Sequence, residues 1–298
     1  MPNDNVIETA GLTKRYGDFE AVTDLTLSVR RGSITGFLGQ NGAGKSSTIK
    51  MLLGMVRPTA GGGRVLGHEI LDPDDSVAMR RRLAYVAEDK RLYDYMTVGQ
   101  LIRFTRAFYP GWREEVEREL LEDFRLPLDR PIKKLSKGMR TQTALLLAFA
   151  RGAELLILDE PTEGLDPVVT EKVLQLTVRA AAEGSTVFFS SHQIAEVEQI
   201  ADSVLLIDRG RLVLETSLDA VKEEFRRIQV VLDREKPVDL TMVPGVRAVE
   251  SEGRLVSIVA SHNVHGIVER IRRLHDGRVE VLPLTLKEVL LASIGTRQ

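Results

Sequence analysis

The chain has 298 residues, of which 43% are hydrophobic and 28% charged, and its formal net charge is −2 at pH 7. This composition is typical of about two globular domains, and the interspersed charges predict no nucleic-acid partner, which would need a basic face. The chain contains no cysteine, which excludes disulfides, thiol catalysis and cysteine-ligated metals. No apolar run approaches the ~20 residues that span a bilayer, so we expect a cytoplasmic chain.

The first element with specific chemistry is a glycine-rich loop between a predicted strand and a predicted helix. Residues 33–38 predict a short buried strand and residues 46–55 predict a helix, so the loop leads into a helix N-terminus. The loop fits the pattern G-x-x-x-x-G-K-[ST], in which backbone N–H groups surround phosphates, the lysine reaches the β- and γ-phosphates and the hydroxyl ligates Mg²⁺. The predicted phosphate-binding residues are Gly39, Gln40, Asn41, Gly42, Ala43, Gly44, Lys45, Ser46 and Ser47.

A second candidate site follows a predicted strand further along the chain. Residues 138–214 alternate helices with apolar strands, which indicates a sheet covered on both faces. The strand at 155–158 ends in Asp159 and Glu160, and in an open α/β sheet such a strand end faces the ligand crevice. There Asp159 can hold Mg²⁺ and Glu160 can deprotonate an attacking water. Solvated strand ends also carry carboxylate pairs, and only the phosphate-binding loop makes hydrolysis the better interpretation.

Beyond about residue 222 the pattern changes to that of a small α+β domain. Residues 246–260 predict a hairpin, and Thr285 to Glu288 predict a capping box that begins a last helix. No catalytic motif is found in this part of the sequence. The predicted domains are 1–221 and 222–298, with a helical subdomain at about 89–140.

The most specific motif precedes the strand at 155–158 and reads Leu135-Ser136-Lys137-Gly138-Met139. It resembles the L-S-G-G-Q signature of ATP-binding-cassette (ABC) ATPases, the nucleotide-binding subunits of ABC transporters. Other matches follow in family order, and together they cover residues 6 to about 214. They are Tyr16 for the adenine-stacking aromatic, Glu88 at the Q-loop position, Asp166 in the D-loop and His192 for the switch histidine.

The resemblance implies an α/β fold, with a P-loop ABC ATPase core and a helical subdomain, that binds ATP and Mg²⁺. In this family two cassettes dimerise head to tail and enclose ATP between the phosphate loop of one and the signature of the other. Ser136 and Gly138, with Lys137 between them, would then contact the γ-phosphate bound by the opposite subunit. The resemblance assigns catalysis to Glu160 as the base. It also assigns His192 and Lys45 to contacts with the phosphate groups of ATP.

The resemblance also implies two protein partners, a membrane permease made as a separate chain and a second ATPase subunit, identical or paralogous. The cassette would then lie peripherally on the inner face of the cell membrane. One cassette followed by a small domain resembles subunits of bacterial export-type systems. The alternatives are a soluble ABC ATPase without a permease and a nucleotide switch that does not hydrolyse ATP. P-loop kinases and GTPases lack the signature and are excluded.

Two positions depart from the family pattern. Lys137 and Met139 replace the usual glycine and glutamine of the signature, which adds a cation at the predicted dimer interface. Glu88 replaces the Q-loop glutamine. A carboxylate at this position can ligate Mg²⁺ together with Ser46 and Asp159, but it adds negative charge beside the γ-phosphate. We therefore expect Glu88 to slow turnover or to shift the metal dependence.

Eight of the fifteen aromatic residues lie between Tyr85 and Phe124. In ABC ATPases this region is the helical subdomain, whose groove receives a coupling helix of the permease, and aromatic side chains suit such a groove. We expect most of these rings to form the core of the subdomain, with Tyr93, Tyr95 and Trp112 exposed.

Overall fold

The computed structural model describes residues 4–232, 243–274 and 277–295. The chain divides into two compact units, Met1–Leu212 and Val213–Gln298. This division lies upstream of the predicted 221/222 boundary, because the helix at Leu218–Glu224 contacts the last helix of the second unit. Within the described ranges, no helix is both long enough and apolar enough to cross a membrane.

The first unit alternates strands and helices along its length. Its strands are β1 (Asn5–Tyr16), β2 (Phe19–Leu25), β3 (Ser28–Arg30), β4 (Ile34–Leu38), β5 (Ala60–Val65), β6 (His68–Glu69), β7 (Leu83–Val86), β8 (Leu155–Asp159), β9 (Thr186–Ser191), β10 (Ser203–Asp208) and β11 (Arg211–Ser217), within which the division falls. Its helices are α1 (Lys45–Leu52), α2 (Pro73–Arg82), α3 (Val98–Arg106), α4 (Glu114–Asp123), α5 (Lys137–Phe149), α6 (Pro167–Ala182) and α7 (Ile194–Ile200).

Two sheets organise these strands. An antiparallel sheet has the order β2-β1-β5-β6, with β3 also paired to β1, and a six-stranded sheet has the order β11-β10-β4-β9-β8-β7. The strands from β10 to β7 are parallel, and β4, β8 and β9 are buried along their whole length. Strands covered on both faces need apolar residues throughout, which explains the hydrophobic runs in the sequence. Their carboxyl ends lie at one edge of the sheet, where β4 leads into the phosphate loop and β8 into Glu160.

The helical segment, which is the region at about 89–140 predicted as a helical subdomain, packs mainly through aliphatic side chains. Helix α3 begins with a capping box in which Thr97 and Gln100 bind each other's backbone N–H groups. Its buried face is formed by Val98, Leu101 and Ile102. Phe104, the aromatic residue of α3, therefore lies outside this buried face and is exposed.

The exposure of the aromatic rings differs from the prediction. Of the eight rings between Tyr85 and Phe124, only Phe124 is buried, so the expectation that most of them form the core is wrong. Trp112 is half-buried and its Nε1 donates to Glu117 Oε2 at 2.6 Å, so its predicted exposure is also wrong. The exposed rings are Tyr93, Tyr95, Phe104 and Phe108.

The second unit continues from β11 as a small α+β domain. Its remaining elements are α8 (Leu218–Glu224), β12 (Arg226–Leu232), β13 (Val246–Glu252), β14 (Leu255–Ala260), α9 (Val264–Leu274), β15 (Gly277–Pro283) and α10 (Leu286–Gly295). The antiparallel sheet has the order β13-β14-β12-β15, and Ile267 and Ile271 of α9 share its core with Ile228. The predicted hairpin is β13–β14, and Thr285 and Glu288 form the predicted capping box of α10.

Candidate functional site

The phosphate-binding loop joins the buried end of β4 to the N-terminus of α1. Two of its glycines show why this residue is needed in the loop. Gly44, the N-cap of α1, has a φ of 110°, in the left-handed region that favours glycine. At Gly39 a Cβ atom would lie 2.6 Å from the carbonyl oxygen of Ile207 in β10. The loop enters α1 with no side-chain cap, which leaves the first backbone N–H groups of the helix for an anion.

Lys45 is buried beneath this loop. Its Nζ donates to the carbonyl oxygens of Gly39 at 2.7 Å and Gln40 at 3.5 Å, and it lies 3.3 Å from Glu160 Oε1. Among the described residues, this ion pair is the contact that holds Oε1, since no hydrogen bond reaches that atom. The fold thus brings the loop lysine and the strand-end carboxylate together in a buried setting, where charges interact more strongly than at the surface.

Glu160 is fixed through both its side chain and its backbone. His192 Nδ1 lies 2.9 Å from Oε2, a distance at which the tautomer with the proton on Nδ1 donates a hydrogen bond to the carboxylate. The Glu160 N–H donates to Ser190 Oγ at 3.1 Å, and that hydroxyl donates to Asp159 Oδ1 at 2.5 Å. Glu160 has a φ of 47°, a left-handed conformation that costs a non-glycine residue about 1–3 kcal/mol and persists only where neighbours hold it.

The three predicted metal ligands have different surroundings. Ser46 Oγ donates to Glu88 Oε2 at 3.4 Å, so these two side chains meet. Asp159 is 1% exposed and is bound by Ser190. In the part of the chain that the structure describes, no three His, Asp or Glu side chains converge on one point. Ser46 and Glu88 nevertheless offer oxygen donors only, which suits Mg²⁺, a metal usually held by one or two protein ligands together with phosphate oxygens.

One pocket of about 430 Å³ lies beside the β1–β2 hairpin. Its lining residues are Tyr16, Phe19, Ala21, Gln40, Asn41, Gly42, Gly44, Lys45, Ser46, Ser47, Glu88 and Glu160. Gly39 and Ala43, also predicted to bind phosphate, belong to the loop but do not line the pocket. Phe19 pairs with Tyr16 across the hairpin and is 64% exposed. No motif predicts Phe19, and the available signal is the two-residue turn after Tyr16, which places residue 19 opposite that ring.

The signature residues lie at the start of α5 and outside this pocket. Ser136 caps α5 by accepting the Met139 N–H at 3.2 Å. Lys137 forms an exposed ion pair with Glu163 at 2.7 Å. Gly138 lies against the loop before α6, where a Cβ atom would be 3.4 Å from the Gly164 carbonyl oxygen. The structure therefore does not bring the signature onto the phosphate loop of the same chain.

A second pocket, of about 390 Å³, lies beside the signature. Its lining residues are Glu88, Asp89, Lys90, Lys137, Arg140, Thr141 and Glu163. Glu88 borders both pockets. The D-loop residue Asp166 lines neither of them, and its carboxylate instead caps α6 by accepting the N–H groups of Val168 at 3.0 Å and Val169 at 3.1 Å.

These motifs occur together in known proteins. A family model described as ABC transporter matches residues 22–163. The bacitracin transport ATP-binding protein BcrA of Bacillus licheniformis is 35% identical over 225 residues, which cover 74% of this chain and 73% of that protein. The chain belongs to the ABC transporter family.

Two further comparisons extend this match. The daunorubicin resistance ATP-binding protein DrrA3 of Streptomyces coeruleorubidus is 32% identical over 303 residues, covering 98% of this chain and 95% of that protein. A solved structure of an ATP-binding subunit of an ABC transporter has a TM-score of 0.67 and 32% identity, covering 73% of this chain and 92% of that one. The chain is an ATP-binding and ATP-hydrolysing subunit of an ABC transporter, and the predicted α/β cassette fold is confirmed.

Two buried charged residues of this ABC cassette are not indicated by any motif. Lys90 is 5% exposed and donates to the Glu160 carbonyl oxygen at 2.8 Å, and burial lowers the pKa of its ammonium group. Glu196 of α7 is also buried, and burial raises the pKa of its carboxyl group. Its Oε2 accepts hydrogen bonds from Thr162 Oγ1 at 2.9 Å and Ser191 Oγ at 3.1 Å. Lys90 stands among charged residues, and Glu196 is itself a charged residue in α7, so neither position gives a sign of burial in the sequence.

Proposed function

We propose that this ABC cassette drives an export-type transporter whose membrane-spanning permease is a separate polypeptide. The observation that carries its part in hydrolysis is the buried contact of Glu160 with Lys45 and His192 beside the phosphate loop. Export is supported by the relatives, whose names refer to bacitracin transport and daunorubicin resistance.

In this proposal the aromatic rings, the backbone of the phosphate loop and Lys45 each bind a different part of ATP. Tyr16 and Phe19 hold the adenine, and the backbone N–H groups of residues 39–47 hold the phosphates. Lys45 exchanges its contacts with loop carbonyl oxygens for contacts with β- and γ-phosphate oxygens, because charged acceptors bind an ammonium more strongly. The same movement releases Glu160 Oε1 from its ion pair, which prepares that oxygen to take a proton.

Glu160 is the general base of the proposed reaction. His192 orients Oε2, and Oε1 takes the proton of the attacking water. His192 has Nε2 left for the γ-phosphate.

Mg²⁺ completes the proposed site. Ser46 and Glu88, together with Asp159, would hold it, and it supplies charge neutralisation at the β- and γ-phosphates. Glu88 carries a full negative charge where the family has a neutral glutamine. We therefore assign to Glu88 a tighter hold on the metal and a weaker hold on the triphosphate.

A second cassette is needed to complete the site. Ser136, Lys137 and Gly138 lie outside the nucleotide pocket of their own chain, so we assign them to the γ-phosphate bound by the opposite subunit. Asp166 begins α6 in the neighbouring loop and is assigned to the same interface. Because the γ-phosphate would then bridge both subunits, its removal by hydrolysis allows the dimer to open.

The exposed rings of the helical segment, Tyr93, Tyr95, Phe104 and Phe108, form an aromatic surface that we assign to the permease. Phe104 contacts Tyr93 and Phe108 edge to face, with ring centroids 5.6 and 5.2 Å apart. A groove of about 650 Å³ beside Phe108 is also lined by two arginines of α2. Apolar rings next to cations favour a partner helix with apolar and acidic side chains.

The partner is tested by recovering tagged Glu160→Gln protein from detergent-solubilised host membranes and identifying bound proteins by mass spectrometry. A polytopic membrane protein should accompany it. The double substitution Tyr95→Ser and Phe108→Ser should remove that protein while leaving ATP binding unchanged. The matched control is Met55→Ser with Leu71→Ser, at apolar residues exposed elsewhere. Recovery of soluble proteins alone, or of a cassette dimer alone, would contradict the permease and favour a soluble ABC ATPase.

A further inference from the structure

Lys90 is a buried cation at the edge of the catalytic centre. It lies between β7 and α3, its residue is 5% exposed, and its Nζ donates to the carbonyl oxygens of Glu160 at 2.8 Å and Asp159 at 3.5 Å. In the described ranges no carboxylate lies within ion-pair distance of this ammonium group. A buried charge is costly unless it is well bound, so these two carbonyl groups are the partners that hold Lys90 in place.

The nearer of the two carbonyl groups that Lys90 binds belongs to Glu160, whose backbone is held on both sides of its Cα. Glu160 adopts a left-handed backbone, its N–H is bound to Ser190 Oγ, and its carbonyl oxygen accepts from the Glu163 N–H at 3.3 Å as well as from Lys90. A non-glycine residue keeps this backbone only when its surroundings over-determine it. With the N–H held, rotation about the N–Cα bond of Glu160 would move this carbonyl group away from Lys90 and, with it, the carboxylate away from His192 and Lys45.

We propose that Lys90 is a positioning residue, which holds the Glu160 peptide and thereby fixes the direction of the carboxylate during ATP hydrolysis. This inference rests on the proposed role of Glu160 as base. Lys90 shares a short segment with Glu88 and with Tyr93 and Tyr95 of the aromatic surface. If a partner displaced that segment, the displacement would be transmitted to Glu160 through the hydrogen bond that Lys90 donates to its carbonyl oxygen.

The test is Lys90→Met in the full chain, which keeps the apolar stem and removes the ammonium group. We expect kcat for ATP to fall at least tenfold, while KM, the affinity for a fluorescent ATP analogue and the melting temperature stay close to wild type. A general structural role would change affinity and melting temperature together with kcat. Arg91→Met is the matched control, because it removes a neighbouring cation whose side chain is 88% exposed and paired with Asp89. Its kcat should stay within twofold of wild type.

A Lys90→Met kcat within twofold of wild type, or a loss matched by an equal loss of affinity, would overturn the inference. If this variant does not fold, Lys90→Gln carries the test, since its amide keeps N–H donors on a neutral side chain. It should lower kcat three- to tenfold at unchanged KM, and a parallel change in both constants would also overturn the inference. Glu160→Gln separates the two proposals. If Glu160→Gln retains wild-type kcat, the proposed base is wrong. If kcat falls in Glu160→Gln but not in Lys90→Met, only the role of Lys90 is rejected.

Discussion

The phosphate-loop side and the signature side of the cassette differ in how far their charged side chains are exposed to solvent. On the loop side, Lys45 and Glu160 are 6% and 5% exposed, and both are bound within the chain. On the signature side, the Lys137 side chain is 65% exposed and its ion pair with Glu163 faces solvent. An exposed ion pair contributes about 0–1 kcal/mol, whereas breaking a buried one costs several. The loop side is therefore organised by contacts within one chain, whereas the exposed ion pair on the signature side could be exchanged for other contacts at little cost.

The largest effect is expected on the loop side, from removal of the proposed base. Glu160→Gln keeps the size of the side chain and still accepts from His192, but it cannot take a proton. We expect kcat to fall at least 100-fold without loss of nucleotide affinity, as measured by phosphate release and fluorescent-nucleotide binding. Glu171→Gln, at an exposed position on α6, is the control and should keep the wild-type rate. A Glu160→Gln rate within tenfold of wild type would show that another group is the base.

The signature side is tested by Gly138→Asp, in the first turn of α5. An acidic residue favours a helix N-terminus and the position has room for a Cβ atom, so the fold should be retained. The new carboxylate would repel the γ-phosphate of a second subunit. ATP-dependent dimerisation, measured by light scattering in a Glu160→Gln background, should be lost, and in the otherwise native chain kcat should fall at least tenfold. Gly111→Asp is the control, and undiminished dimerisation of Gly138→Asp would contradict the assigned interface.

A smaller effect is expected at Glu88, which borders the pockets on both sides. Glu88→Gln removes negative charge beside the bound triphosphate, so kcat should rise by about two- to fivefold. The Mg²⁺ concentration for half-maximal activity should also rise, because an amide is a weaker ligand than a carboxylate. Glu88→Asp keeps the charge and serves as the comparison. Unchanged rate and Mg²⁺ dependence in Glu88→Gln would reject this role.

The smallest effect concerns the cost of burying Glu196 in α7. Burial raises the pKa of this carboxyl group, so the stability it contributes is full below its ordinary pKa and is lost as pH rises through the raised pKa. Glu196→Gln keeps an acceptor for Thr162 and Ser191 without the charge. Its melting temperature should exceed that of the wild type by about 2–4 °C more at pH 8 than at pH 5. A difference that does not change with pH would show that Glu196 does not titrate in this range.

The parts of the fold that the sequence predicts correctly are those set by local geometry. The glycine pattern predicts the phosphate loop because Gly44 needs a left-handed backbone, and the apolar run of β8 predicts a strand covered on both faces. Parallel strands bring their carboxyl ends to one edge, so the meeting of Lys45 and Glu160 could be expected as well. The capping box at Thr285 is equally local, and it too is confirmed.

What only the tertiary structure decided is which side chains are buried and which face outward. Lys90 stands in a polar segment, yet packing of that segment against the end of β8 buries its ammonium on the Glu160 carbonyl oxygen. Phe104 is a large apolar residue of a kind usually found in cores, yet aliphatic side chains take the buried face of α3 and leave its ring exposed. Burial depends on contacts between segments distant in sequence, while motifs record what one short segment needs. The sequence alone therefore determined the family and the order of its motifs, and the packing of distant segments determined which groups meet at the site and which remain at the surface.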